Sequence, residues 1–122
     1  MINPYGVPAR VVEAVMSGQV VAVVSQQLLD ELTAVLIRPK FRRWLSVADA
    51  VSFVETLGVI AELRPDPGSP RRVRDPNDDY LAALSEATNV AIITGDAALL
   101  YEDLAPAAIT PRELLDTLMR TE

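Results

Sequence analysis

The sequence predicts an α/β fold with a parallel central sheet and helices on both of its faces, built as a single domain over residues 1–122. Three observations predict it. The chain is long enough for one domain, and 50% of its residues are apolar, enough for a sizeable core. Valine- and isoleucine-rich runs at Val20–Val24, Val59–Leu63 and Asn89–Thr94 have the continuous apolar character of buried strands. Segments with helical periodicity alternate with those runs, the order that a parallel sheet covered by helices requires.

The elements follow in order. Val7–Met16 is predicted helical: Pro8 suits a first turn, Val7, Val11, Val12 and Val15 recur at helical spacing, and Gly18 supplies a stop. After the strand Val20–Val24, Ser25 is a plausible N-cap for a helix from Gln26 to about Ile37, with Leu28, Leu29, Leu32, Val35 and Leu36 as its apolar stripe and Pro39 as its end. Lys40–Leu45 is a short basic helical piece or turn. Ser46-Val47-Ala48-Asp49 resembles a capping box and opens a helix to Leu57, with Gly58 as its stop and Val47, Val51, Val54 and Leu57 facing the core. Val59–Leu63 is the second strand, and the proline- and arginine-rich stretch Arg64–Arg74 is a surface loop. Asp75 as N-cap and Pro76 at the first position start the next helix, whose apolar side carries Leu81, Ala82, Leu84 and Ala87. Asn89–Thr94 is the third strand. Asp96 caps a short helix over Ala97–Tyr101, and Ala107–Ile109 is a short fourth strand. Thr110-Pro111-Arg112-Glu113 is a full capping box for the C-terminal helix.

Composition narrows the chemistry. The chain has no cysteine and no histidine. Disulfides, thiol catalysis and cysteine-held zinc are excluded, and so is the commonest general base. Any metal site must use oxygen ligands, which suits magnesium or manganese. No apolar run approaches the roughly 20 residues of a membrane helix, no signal peptide is evident, and a cytoplasmic location is expected. The net charge of −6 argues against a broad nucleic-acid-binding face, though not against a cleft in which a bound metal offsets local negative charge.

Three acids stand out by position. Ligands of open parallel sheets bind beyond the carboxyl ends of the strands. Asp96 follows the strand ending at Thr94, and Glu31 sits about two turns into the helix that follows Val24. Asp78 lies in the first turn of its helix, where the positive helix end favours a carboxylate. Each has an ordinary alternative: Asp96 as an N-cap, Glu31 as a solvated helix residue, Asp78 as a dipole-stabilising charge. Asp75 and Asp79 are better explained as a cap and a solvent-facing residue.

The segments Ser25-Gln26-Gln27-Leu28-Leu29-Asp30-Glu31, Arg74-Asp75-Pro76-Asn77-Asp78 running on to Leu84, and Ile92-Ile93-Thr94-Gly95-Asp96 occur in this order. Together with Arg38-Pro39-Lys40-Phe41 and Thr110-Pro111-Arg112-Glu113 they resemble the PIN-domain family, notably its toxin-like branch related to VapC ribonucleases. The resemblance covers nearly the whole chain. It implies a three-layer sandwich and an acid cluster holding magnesium or manganese for RNA hydrolysis. Carried over by position, Glu31, Asp78 and Asp96 are the catalytic, metal-holding acids. It also implies an RNA substrate, an antitoxin partner and a possible homo-oligomer. Thr94 and Asn77 could orient waters, with turn and capping roles as the alternative.

The family pattern normally begins with a strand ending near an Asp-Thr-Asn segment, whose aspartate is a metal ligand. No such segment stands here, and Met1-Ile2-Asn3-Pro4-Tyr5-Gly6 resembles the connection that follows that strand. Three explanations compete: a natural start upstream of Met1, which is favoured; a naturally shortened protein of weak or no activity; or a partner chain that fills the gap.

Two basic clusters remain, Arg38, Lys40, Arg42 and Arg43, and Arg71, Arg72 and Arg74. They are either ordinary solvated charge or contacts to RNA phosphates at the rim of a cleft. Trp44 is read as a core or interface anchor, with base stacking as the alternative. The leading expectation is a metal-dependent endoribonuclease, the toxin of a toxin–antitoxin pair. The competing one is a catalytically inactive module that keeps the fold and binds a protein partner or RNA. A nucleotide-binding fold is disfavoured, since no glycine-rich loop follows any strand.

Overall fold

The computed structural model describes residues 7–67, 73–74 and 76–121. The expectations placed on Met1–Gly6, Arg71, Arg72 and Asp75 lie outside them. The chain forms two compact units, Met1–Pro65 and Asp66–Glu122. Helices alternate with short parallel-paired segments in both, the α/β character that the sequence predicts. Among the described residues no helix is long and apolar enough to cross a membrane.

In the first unit, α1 (Val7–Met16) ends where Gly18 takes φ +81, a conformation that a Cβ disfavours. Strand β1 (Val23–Val24) is shorter than the apolar run that predicts it. Helix α2 (Gln26–Leu36) starts at Ser25, whose hydroxyl accepts from Leu28 N at 3.2 Å. A 3₁₀ turn, Pro39–Phe41, follows. Helix α3 (Val47–Ile60) starts at Ser46, whose hydroxyl accepts from Asp49 N at 3.0 Å. Strand β2 (Glu62–Leu63) pairs in parallel with β1, Val23 opposite Glu62 and Val24 opposite Leu63. The core gathers Val24, Leu29 and Val54, with Leu32, Phe53 and Leu57 packed against them.

Three expectations are corrected here. Gly58 does not stop α3; the helix runs through it, so Val59 and Ile60 are helical and the second strand shrinks to Glu62–Leu63. The reason is packing: α3 lies against α2 in the core, and even a Cβ on Gly58 would meet Leu29 Cδ1 only at an ordinary 3.4 Å. Val54 and Leu57 face the core, but Val47 and Val51 at the start of α3 are exposed. Trp44 is exposed as well, at 57% of its surface, and is no core anchor.

In the second unit, a 3₁₀ turn, Pro76–Asp78, leads into α4 (Asp79–Thr88). The α-helix proper thus begins three residues beyond Pro76. Its buried face carries Tyr80, Ala82, Ala83, Leu84 and Ser85, whereas Ala87 is exposed. Asn89 caps the helix in the left-handed region, φ 57 and ψ 41, so it closes a helix and does not begin a strand. The Ser85 hydroxyl donates to Val90 O at 2.6 Å and ties the chain back to the helix. The predicted third and fourth strands meet only as a parallel bridge, Ile93 with Ile109, where Thr94 N donates to Ile109 O and Ile109 N to Ile92 O. Helix α5 (Ala97–Leu100) follows, and α6 (Pro111–Thr121) opens on the full capping box: Glu113 N donates to Thr110 Oγ1 at 3.1 Å and Thr110 N to Glu113 Oε1 at 3.0 Å. Ala82, Leu104 and Ala108 form this unit's core, with Val73, Ile92 and Leu100 against it.

Candidate metal centre

Glu31 stands on α2 with an exposed side chain, six residues after the Ser25 cap. Its neighbour Asp30 is engaged locally, accepting from Gln26 Nε2 at 2.8 Å.

Asp78 and Asp96 belong to the second unit. Asp78 closes the 3₁₀ turn and holds the N-cap position of α4 with φ −99 and ψ −1, but its side chain makes no cap bond. It is half-buried. The positive end of α4 stabilises its charge. Asp96 is the N-cap of α5: Oδ1 accepts from Ala98 N at 2.9 Å, while Asp96 N donates to Thr94 Oγ1 at 3.0 Å. Capping and metal binding are therefore compatible at Asp96, because the cap bond uses Oδ1 and leaves Oδ2 for a ligand. Thr94 has the turn role expected of it.

Two acids act in a way the sequence did not disclose. Asp79 is half-buried, not solvent-facing, and its Oδ1 accepts from Val73 N at 2.8 Å. Glu102 Oε2 accepts from Arg74 N at 2.7 Å. Two successive backbone amides are thus gripped by two carboxylates, one at the start of α4 beside Asp78 and one just past the end of α5, which Asp96 caps. The elements that carry Asp78 and Asp96 are tied to the same two-residue segment. Charge-assisted bonds of this kind are stronger than neutral ones. Val73, Arg74, Ala98, Tyr101 and Glu102 line an open cleft there. No local pattern links Glu102 to Arg74, so no signal in the sequence marks it.

The donor set fits a hard divalent cation in kind: the chain has neither histidine nor cysteine, and each candidate is a carboxylate. Among the described residues, no group of three or more acids gathers at one point.

Against this geometry the comparisons with known proteins are specific. Residues 1–98 match the PIN domain family, and the chain belongs to it. PIN domains are generally nucleases that use divalent metal ions. The chain is also similar to an uncharacterized protein of Methanocaldococcus jannaschii, 25% identical over 101 residues, which are 82% of this chain and 65% of that protein. The matched region therefore spans just under two thirds of that relative. No solved structure matches the chain.

Proposed function

We propose that this protein is a divalent-metal-dependent endoribonuclease in which Glu31, Asp78 and Asp96 supply the metal-holding carboxylates. The observation that carries the proposal is that all three acids fall, in order, within the residues matched to the PIN domain family. The second unit supports it locally. Asp78 sits at the positive end of α4, and Asp96 is held by its cap bond with one oxygen to spare. A bound magnesium or manganese ion supplies Lewis-acid charge and an activated water for phosphodiester hydrolysis. The protein's part is to hold fixed carboxylates and to position the strand. Asp79 and Glu102 serve that part by anchoring the segment Val73–Arg74 between the elements that carry Asp78 and Asp96. We further propose that the nuclease acts as a toxin in the cytoplasm, held in check by an antitoxin protein; the resemblance of its motifs to the VapC-related branch supports this role.

The test is cleavage of RNA by the purified protein. Magnesium or manganese should be required, chelator should stop the reaction, and Asp78→Asn and Asp96→Asn should each abolish it. Cleavage that survives both substitutions rejects the assigned site. A protein that neither cleaves RNA nor responds to manganese is instead a binding module that has kept the fold.

A further inference from the structure

The segment Arg38–Trp44 holds four of the chain's 11 cations and none of its 17 acids. It is also a built surface. Turn bonds from Phe41 N to Arg38 O, Arg42 N to Pro39 O, and Trp44 N to Phe41 O, each 3.0 Å, hold its backbone. Arg42 Nη2 donates to the Ile37 carbonyl, so that guanidinium is engaged at the end of α2. Arg38, Lys40 and Arg43 remain exposed. Lys40 Nζ lies 5.1 Å from the centre of the Phe41 ring, and Arg43 Cζ lies 5.7 Å from that of Trp44. Trp44 stays 57% exposed, although a residue of this size is usually largely buried.

We propose that Arg38–Trp44 is a docking strap for single-stranded RNA, on which an unpaired base stacks on Trp44 while Arg38, Lys40 and Arg43 bind the flanking phosphates. The choice of RNA rests on the ribonuclease reading; none of the strap's residues is one of the three metal-holding acids. Charge selects the occupant: in a chain with net charge −6, this is a cationic island, and a polyanion matches it. The aromatic face narrows the choice further. An acidic peptide would use the cations and leave the indole idle. A nucleic acid strand uses both, since every base has a face to stack. The backbone turns hold the platform in place before binding, which lowers the ordering cost.

Trp44 is the chain's one tryptophan, so its fluorescence reports on this strap directly. The experiment is a titration with a ten-nucleotide oligoadenylate in chelator, using both the unaltered protein and Asp96→Asn. Saturable quenching is expected in both. Three phosphate contacts give a slope of log affinity against log salt of about −2, so affinity should fall about 20-fold between 50 and 200 mM salt. By anisotropy of labelled RNA, Trp44→Ala should bind roughly 5- to 150-fold more weakly and Trp44→Phe should recover part of the loss. Arg43→Ala should flatten the salt slope by about 0.7. Heparin, a polyanion without bases, should bind without the stacking quench. Trp44→Ala that folds and binds RNA normally overturns the proposal, as does fluorescence that changes with protein concentration but not with RNA. Quenching without any cleavage leaves the strap standing and counts against the nuclease. Cleavage without quenching does the reverse.

Discussion

Asp96 has two duties, and two substitutions separate them. The cap bond, Oδ1 to Ala98 N at 2.9 Å, is exposed, and the helix it starts is only four residues long. Replacing an N-cap aspartate by alanine costs about 0.5–2 kcal/mol; the short, solvated helix puts this case near the lower end, at about 0.5–1 kcal/mol. For a chain of this size that lowers Tm by roughly 2–5 °C. Asparagine caps as well as aspartate does, so Asp96→Asn should lose no more than a few tenths of a kcal/mol, from its weaker interaction with the helix end. The metal duty depends on the negative charge, which both substitutions remove. The assay pairs urea unfolding, with and without manganese, with RNA cleavage. In the unaltered protein, manganese at 100 times its Kd should add about 2.7 kcal/mol of stability. Asp96→Asn should keep the metal-free stability yet lose both the manganese effect and cleavage, whereas Asp96→Ala should lose all three. An asparagine variant that still cleaves RNA and is still stabilised by manganese would reduce Asp96 to a cap. An asparagine variant as unstable as the alanine one would show that the charge, and not the cap bond, holds this turn.

Two further predictions concern local packing and backbone conformation within each unit. Gly58→Ala should stabilise the protein by about 0.5–1 kcal/mol in urea unfolding, because the position is helical and the added Cβ meets Leu29 Cδ1 at an ordinary 3.4 Å; Gly18→Ala, at φ +81, should destabilise it, and the same sign for both would contradict the assigned conformations. Ser85→Ala should cost about 0.5–1.5 kcal/mol, since the hydroxyl of this buried serine donates to Val90 O at 2.6 Å; a loss below about 0.5 kcal/mol would mean that this tie does not hold the segment leading to Asp96.

The helix starts were legible in the sequence because caps are local. Ser25, Ser46 and the Thr110–Glu113 box each close a hydrogen bond across three residues, so residue type and spacing suffice. The α/β alternation was legible for the same reason, since apolar periodicity is also local. Strand length was not, because a strand needs a partner: the apolar run Asn89–Thr94 forms only a bridge to Ile109, and Asn89 itself takes the left-handed cap. Gly58 reads as a helix stop until Leu29, 29 positions earlier, is seen packed against it. Glu102 carries no mark of its role, since Arg74 N lies 28 residues away in the chain. The sequence alone determined which residues can cap, turn or bind a hard cation. The tertiary structure decided which of them meet, and left Trp44, expected as an anchor, facing solvent beside Arg43. Contacts between residues far apart in the chain depend on how the backbone packs, and no short-range pattern encodes that.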